Sequence, residues 1–124
     1  MKKLLLLLLF IPGMVMAQSY GKIFETSTWN GSTYEHALYI NEVIAIDDNY
    51  IQITSPDNQV FTFKALDHSG EQINSSGHRQ IVITALDCTR NKVVTLRLVD
   101  RVSYMQLYIH FENGSRLVLN FTWV

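Results

Sequence analysis

From Ser103 to Trp123 the apolar side chains fall on every second residue, with one interruption. In the first run Met105, Leu107, Ile109 and Phe111 alternate with Tyr104, Gln106, Tyr108, His110 and Glu112. In the second, Leu117, Leu119, Phe121 and Trp123 alternate with Arg116, Asn120 and Thr122. Successive strand residues point to opposite faces, so each run presents an apolar face to a core and a polar face away from it. A helix would need apolar spacings of three and four, and no such stripe follows residue 17. The chain is built for sheet.

The turn chemistry tests this pattern. A two-residue Asn113-Gly114 turn would set Phe111 against Arg116, mixing characters on one face. A three-residue Glu112-Asn113-Gly114 loop instead pairs Ile109 with Leu117, Leu107 with Leu119 and Met105 with Phe121, with Gly114 left-handed. Upstream, an Asp48-Asn49 turn pairs Ile46 and Ile44 with Ile51 and Ile53. A Pro56-Asp57-Asn58 loop pairs Ile51 and Ile53 with Phe63 and Phe61, Asn58 taking the left-handed place. Across Cys88–Asn91, Ile83 and Ala85 meet Leu96 and Val94. These turns agree with one another on an all-β, antiparallel meander of about eight strands. It forms either a small up-and-down barrel or a rolled two-layer sheet. Lys22–Trp29 reads as a first strand ending near Asn30-Gly31-Ser32, and Tyr34–Ile40 as a second. Asp67–Arg79 reads as the one long connection.

Met1 to Ala17 has a different character. Two lysines precede an apolar run from Leu4 to Ile11, then Pro12-Gly13 and the small-residue pattern Val15-x-Ala17. This matches a secretory signal peptide and is too short for a membrane-spanning helix. The expected organisation is therefore a signal peptide, 1–17, and a single all-β domain, 18–124. The protein is expected to be exported to the periplasm, cell surface or medium after cleavage near Ala17, with no transmembrane helix in the mature chain.

The net charge of −1 becomes more negative once Lys2 and Lys3 are removed, so no basic field exists to hold a nucleic acid. Cys88 is the only cysteine, which excludes an internal disulfide and a multi-cysteine zinc site. Its place between the Ala85-Leu86 strand end and the Thr89-Arg90-Asn91 turn argues for an inert, partly buried thiol. His36, His68, His78 and His110 show no metal-ligand spacing, and Asp47-Asp48-Asn49 lacks the rest of a calcium loop. No nucleophile motif occurs after the leader. No catalytic residue, metal or cofactor is expected.

The candidate binding residues lie on the polar face of the last three strands. Continuing the register places Arg97, Gln106 and Asn120 in one row and Thr95, Tyr108 and Val118 in the next. His110 falls opposite Arg116, and Tyr104 lies beyond, near Val99 and Thr122. Rings beside amide and guanidinium donors suit a ligand or partner with apolar and polar parts. Trp29 and Tyr34 are candidates for a rim.

Over Ile51-Gln52-Ile53, Asn58-Gln59-Val60-Phe61, Ala85-Leu86-Asp87 and Leu107-Tyr108-Ile109-His110-Phe111, the chain resembles small secreted β-proteins of Bacteroidota. More loosely, its meander resembles a compact lipocalin-type barrel, which implies a ligand cavity. Neither resemblance assigns a catalytic residue.

The expected function is a non-catalytic secreted or periplasmic protein that binds a small-molecule ligand or an envelope protein partner. One alternative is a small hydrolase or isomerase with a site near residues 67–79, which requires His68 or His78 beside a carboxylate. Another is an envelope structural protein or outer-membrane barrel. Strands as short as Glu42–Asp47 and Tyr50–Ser55 tell against the membrane version.

Overall fold

The computed structural model describes residues 18–29, 32, 34–37, 42–47, 49–55 and 57–124. The leader and the expectations for Asn30, Gly31, Leu38, Ile40, Asp48 and Pro56 lie outside the described residues. Among the described residues nine strands follow one another: β1 (Gln18–Trp29), β2 (Tyr34–Ala37), β3 (Val43–Asp47), β4 (Tyr50–Thr54) and β5 (Val60–Ile73), then β6 (Arg79–Asp87), β7 (Lys92–Asp100), β8 (Met105–His110) and β9 (Arg116–Trp123).

Every pairing is antiparallel, and β1 pairs with β9 on one edge and with β3 on the other, so the sheet closes on itself. β3 takes Gln18–Lys22 of that second edge and β2 takes Thr26–Trp29. β2 and β3 thus occupy one position in the wall, and the barrel is eight strands around. Closure removes the free edges that a rolled open sheet would leave.

The apolar register is the one the sequence specifies. Met105, Leu107 and Ile109 pair with Phe121, Leu119 and Leu117. Ile44 and Ile46 pair with Ile53 and Ile51, and these with Phe61 and Phe63. Ile83 and Ala85 pair with Leu96 and Val94. The loop residues Asn58 (φ 67°) and Gly114 (φ 88°) are left-handed, as the turn types require. Asp47 Oδ1 accepts from the backbone N–H groups of Asn49 and Tyr50, both at 2.7 Å, which holds the β3–β4 turn. The inward side chains form one core running the length of the barrel, from Ile23 and Phe121 to Ile53 and Ile109.

Three local features depart from the sequence reading. First, Asp67–Ile73 is strand: β5 runs through it and leaves only residues 74–78 as a turn. Bulges between Ala65 and Asp67, and between His68 and Glu71, break the alternation and make this stretch read as loop. Gly70 is left-handed (φ 81°), and the Ser69 hydroxyl accepts the Val82 N–H at 3.1 Å. Second, β7 and β8 pair two residues away from the expected register, with Arg97 opposite Tyr108 and Val99 opposite Gln106. Their connection is a four-residue turn in which Val102 has φ 75° and its N–H is held by Asp100 Oδ1 at 2.9 Å. A β-branched residue is the last one a sequence reading would place left-handed. Third, Cys88 is exposed and not partly buried, because it opens the turn after β6.

β1 carries the feature that shapes the site. A bulge between Ile23 and Glu25 shifts its pairing with β9 by one residue. Before it, Gly21 and Ile23 face inward against Phe121 and the core; after it, the inward residue is Thr26. A polar side chain is thereby turned into the barrel.

Candidate functional site

The turns after β4, β6 and β8 share one end of the barrel, and there the core opens into a cavity of about 320 Å3. That is near the lower end of the roughly 300–1,000 Å3 range of small-molecule sites. Its floor is Ile53, Phe63, Ile109 and Leu119, all buried. Its rim is Phe61, Phe111 and Leu117, which retain exposure because the strands end there. The opposite end is tied across by Arg79, which meets Asp100 at 2.8 Å and Glu71 at 3.4 Å.

Five polar residues complete the lining: Thr26, Glu42, Asp87, Thr89 and Arg90. Thr26 is 5% exposed, and its hydroxyl oxygen is closed off with no hydrogen-bond partner. An unpaired buried hydroxyl costs about 1–3 kcal/mol. Asp87, also 5% exposed, continues the inward parity of Ile81, Ile83 and Ala85. Its carboxylate is fully engaged: it accepts Thr89 N–H at 3.1 Å, Arg90 N–H at 3.4 Å and Arg90 Nε at 3.0 Å. The Arg90 guanidinium in turn lies 4.2 Å from the centre of the Phe111 ring. Glu42 is half-buried just before β3, and burial pushes its carboxyl pKa up. No charge partner or hydrogen bond to that carboxyl opposes this among the described residues.

The residues singled out from sequence lie on the outer wall, where the structure joins them into two ladders. In one, Arg97 stacks on Tyr108 at 4.1 Å, and the Tyr108 and His110 rings lie parallel at 6.0 Å. The two-residue register correction is what brings Arg97 onto Tyr108. His110 pairs with Arg116, whose guanidinium is 5.7 Å from the centre of the Trp29 ring. In the other, Gln106 Nε2 donates to Asn120 Oδ1 at 2.9 Å, and Asn120 Nδ2 donates to Glu25 Oε1 at 2.8 Å. Tyr104 meets Phe24 edge to face at 5.7 Å. Arg97, Tyr108, Asn120 and Tyr104 thus engage neighbours in the wall itself.

The ladder has a pH consequence. Burial, then the charges of Arg97 and Arg116, push the His110 pKa below its ordinary value. The fold therefore favours the neutral ring over the unfolded chain. That stability is present above the unfolded pKa and is lost as pH falls through the folded one. His110→Gln is expected to flatten the fall in urea midpoint between about pH 7.5 and 5, relative to the wild type. A variant whose midpoint falls as steeply would assign the acid sensitivity elsewhere.

His68 Nδ1 accepts the Gly70 N–H at 3.2 Å, and His78 Nδ1 is buried without a partner. Neither imidazole has a carboxylate hydrogen bond among the described residues, and no group of three or more His, Cys, Asp or Glu there is placed to hold a metal. No helix among the described residues is long and apolar enough to cross a membrane. The cavity residues were missed in sequence because a bulge and strand-end positions place them inward, not alternation alone. Asp87 is the exception, since it sits on the apolar parity of its strand. Comparison with family models, with curated proteins and with solved structures finds no match to this chain.

Proposed function

We propose that this protein is an exported, non-catalytic binding protein that takes a small, largely apolar molecule into the cavity at the barrel end. The observation that carries this reading is the cavity of about 320 Å3 at the barrel end, with its buried floor of Ile53, Phe63, Ile109 and Leu119. A ligand with an apolar body covers Ile53, Phe63, Ile109 and Leu119, and its polar group lies among the polar residues of the lining. Export rests on the leader pattern of residues 1–17.

The distribution of side chains supports a water-facing barrel. Apolar residues fill the interior and charged ones such as Lys22, Lys64 and Lys92 face out. A membrane-spanning barrel has an apolar band outside and commonly a polar lumen. A catalytic role has little to draw on, since Asp87 is neutralised by Arg90 and neither loop-end imidazole has a hydrogen bond to a carboxylate among the described residues.

The test is a fluorescence titration with N-phenyl-1-naphthylamine, a neutral probe that brightens in apolar surroundings. Wild-type protein is expected to bind it saturably. Leu117→Trp fills the rim and is expected to weaken binding at least tenfold, with a urea midpoint close to wild type. Equal binding by both proteins would place the probe elsewhere and remove the cavity reading.

A further inference from the structure

Resting on that cavity reading, the geometry points to an organic cation as the ligand: an amine or substituted ammonium on an apolar body, held by the Glu42 carboxylate and the phenyl rings at the mouth. The two charged systems of the cavity are in different states. Asp87 and Arg90 satisfy each other at 3.0 Å and Asp87 is additionally held by two backbone N–H groups, so this pair has no unmet charge. Glu42 has lost part of its hydration to burial and has no ion-pair or hydrogen-bond partner for its carboxyl among the described residues. A partly desolvated carboxylate is stabilised most by an opposite charge brought close to it.

The aromatic content of the cavity favours the same sign. Phe61, Phe63 and Phe111 line the cavity, and the negative face of a phenyl ring attracts cations. Arg90 already demonstrates the interaction, since its guanidinium sits 4.2 Å from the Phe111 ring centre. A carboxylate ligand would meet Glu42 with like charge.

Three compounds on one body separate the possibilities: 4-phenylbutylamine, 4-phenylbutanol and 4-phenylbutyrate, each displacing N-phenyl-1-naphthylamine from the purified protein. The amine is expected to displace at least tenfold more strongly than the alcohol, with the carboxylate weakest. Glu42→Gln is expected to bring the amine within about threefold of the alcohol, a collapse of roughly 0.7 kcal/mol or more by the factor-of-ten equivalence of ~1.4 kcal/mol. Asp67→Asn, which removes the same charge from the outer wall, is expected to keep the preference. If the probe binds, Leu117→Trp blocks it and the three compounds tie or the carboxylate leads, the cation assignment fails alone. If the preference survives Glu42→Gln but falls in Asp67→Asn, the effect is one of net charge and the assignment also fails. If the probe does not bind at all, the cavity reading fails with it.

Discussion

Phe121→Ala is expected to destabilise the barrel by about 3–5 kcal/mol, the usual range for deleting a fully buried phenyl group. Phe121 is 0% exposed and sits where the barrel closes. It pairs with Met105 on β8 and with Ile23 on β1, so the same ring joins the last hairpin to the first strand. It also meets Trp123 edge to face at 5.2 Å, an arrangement worth about 0.5–1.5 kcal/mol beyond area burial. Neighbouring strands are held by their ladders and cannot collapse into the space, so most of the void persists. At roughly 4–8 °C per kcal/mol the thermal midpoint falls by upward of about 12 °C. Urea unfolding with an unchanged slope is the measurement to make. If Phe121→Ala does not fold, Phe121→Leu, with its smaller void, gives a measurable midpoint. A loss under about 1 kcal/mol for Phe121→Ala would mean the closure of β1 on β9 does not depend on this ring.

The second large effect comes from the residue against which Phe121 packs. A Cβ added at Gly21 would run into the Phe121 ring and come within 2.9 Å of Ile44 Cγ2. Gly21→Val is therefore expected to cost about 1–3 kcal/mol or more, although valine has the better strand propensity. Urea midpoints of the single and double variants test whether the cause is steric. Joined to Phe121→Leu, Gly21→Val should cost less than the two single changes together, by about 0.5–3 kcal/mol, because the smaller side chain yields the space. Strict additivity would show that Gly21 serves the backbone of β1 and not the packing of the ring. The interior glycine of β1 is otherwise hard to account for, since glycine weakens a strand that nothing approaches closely.

Both effects concern the β1–β9 seam, and that seam is also where the cavity begins. The bulge between Ile23 and Glu25 separates two uses of one strand: Gly21 and Ile23 build core, and Thr26 faces the binding space. Under uniform alternation Glu25 and Ser27 would have followed Ile23 inward, with Phe24 and Thr26 outward; the bulge puts Thr26 on the inner face instead. The extra residue converts part of a structural wall into part of a site.

How far this protein can be read from its chain depends on the range of the interactions involved. The strand pairs β3–β4–β5, β6–β7 and β8–β9 follow from period-two apolar spacing and the turn residues between them, because each pair is set by residues close in sequence. Asn58 and Gly114 even declare the conformations they adopt. The β7–β8 register was out of reach because a four-residue turn with left-handed Val102 carries no turn signature. Asp67–Ile73 hid its strand behind two bulges that interrupt the alternation. Barrel closure, the inward turn of Thr26 and the meeting of Glu42, Asp87, Arg90 and three phenylalanines around one cavity belong to the tertiary structure alone. They join segments as distant as Thr26 and Leu119, and local spacing carries no information about which distant strand completes a cylinder. The sequence by itself determined the strands and most of their neighbours; packing around the closed barrel decided where its polar groups converge.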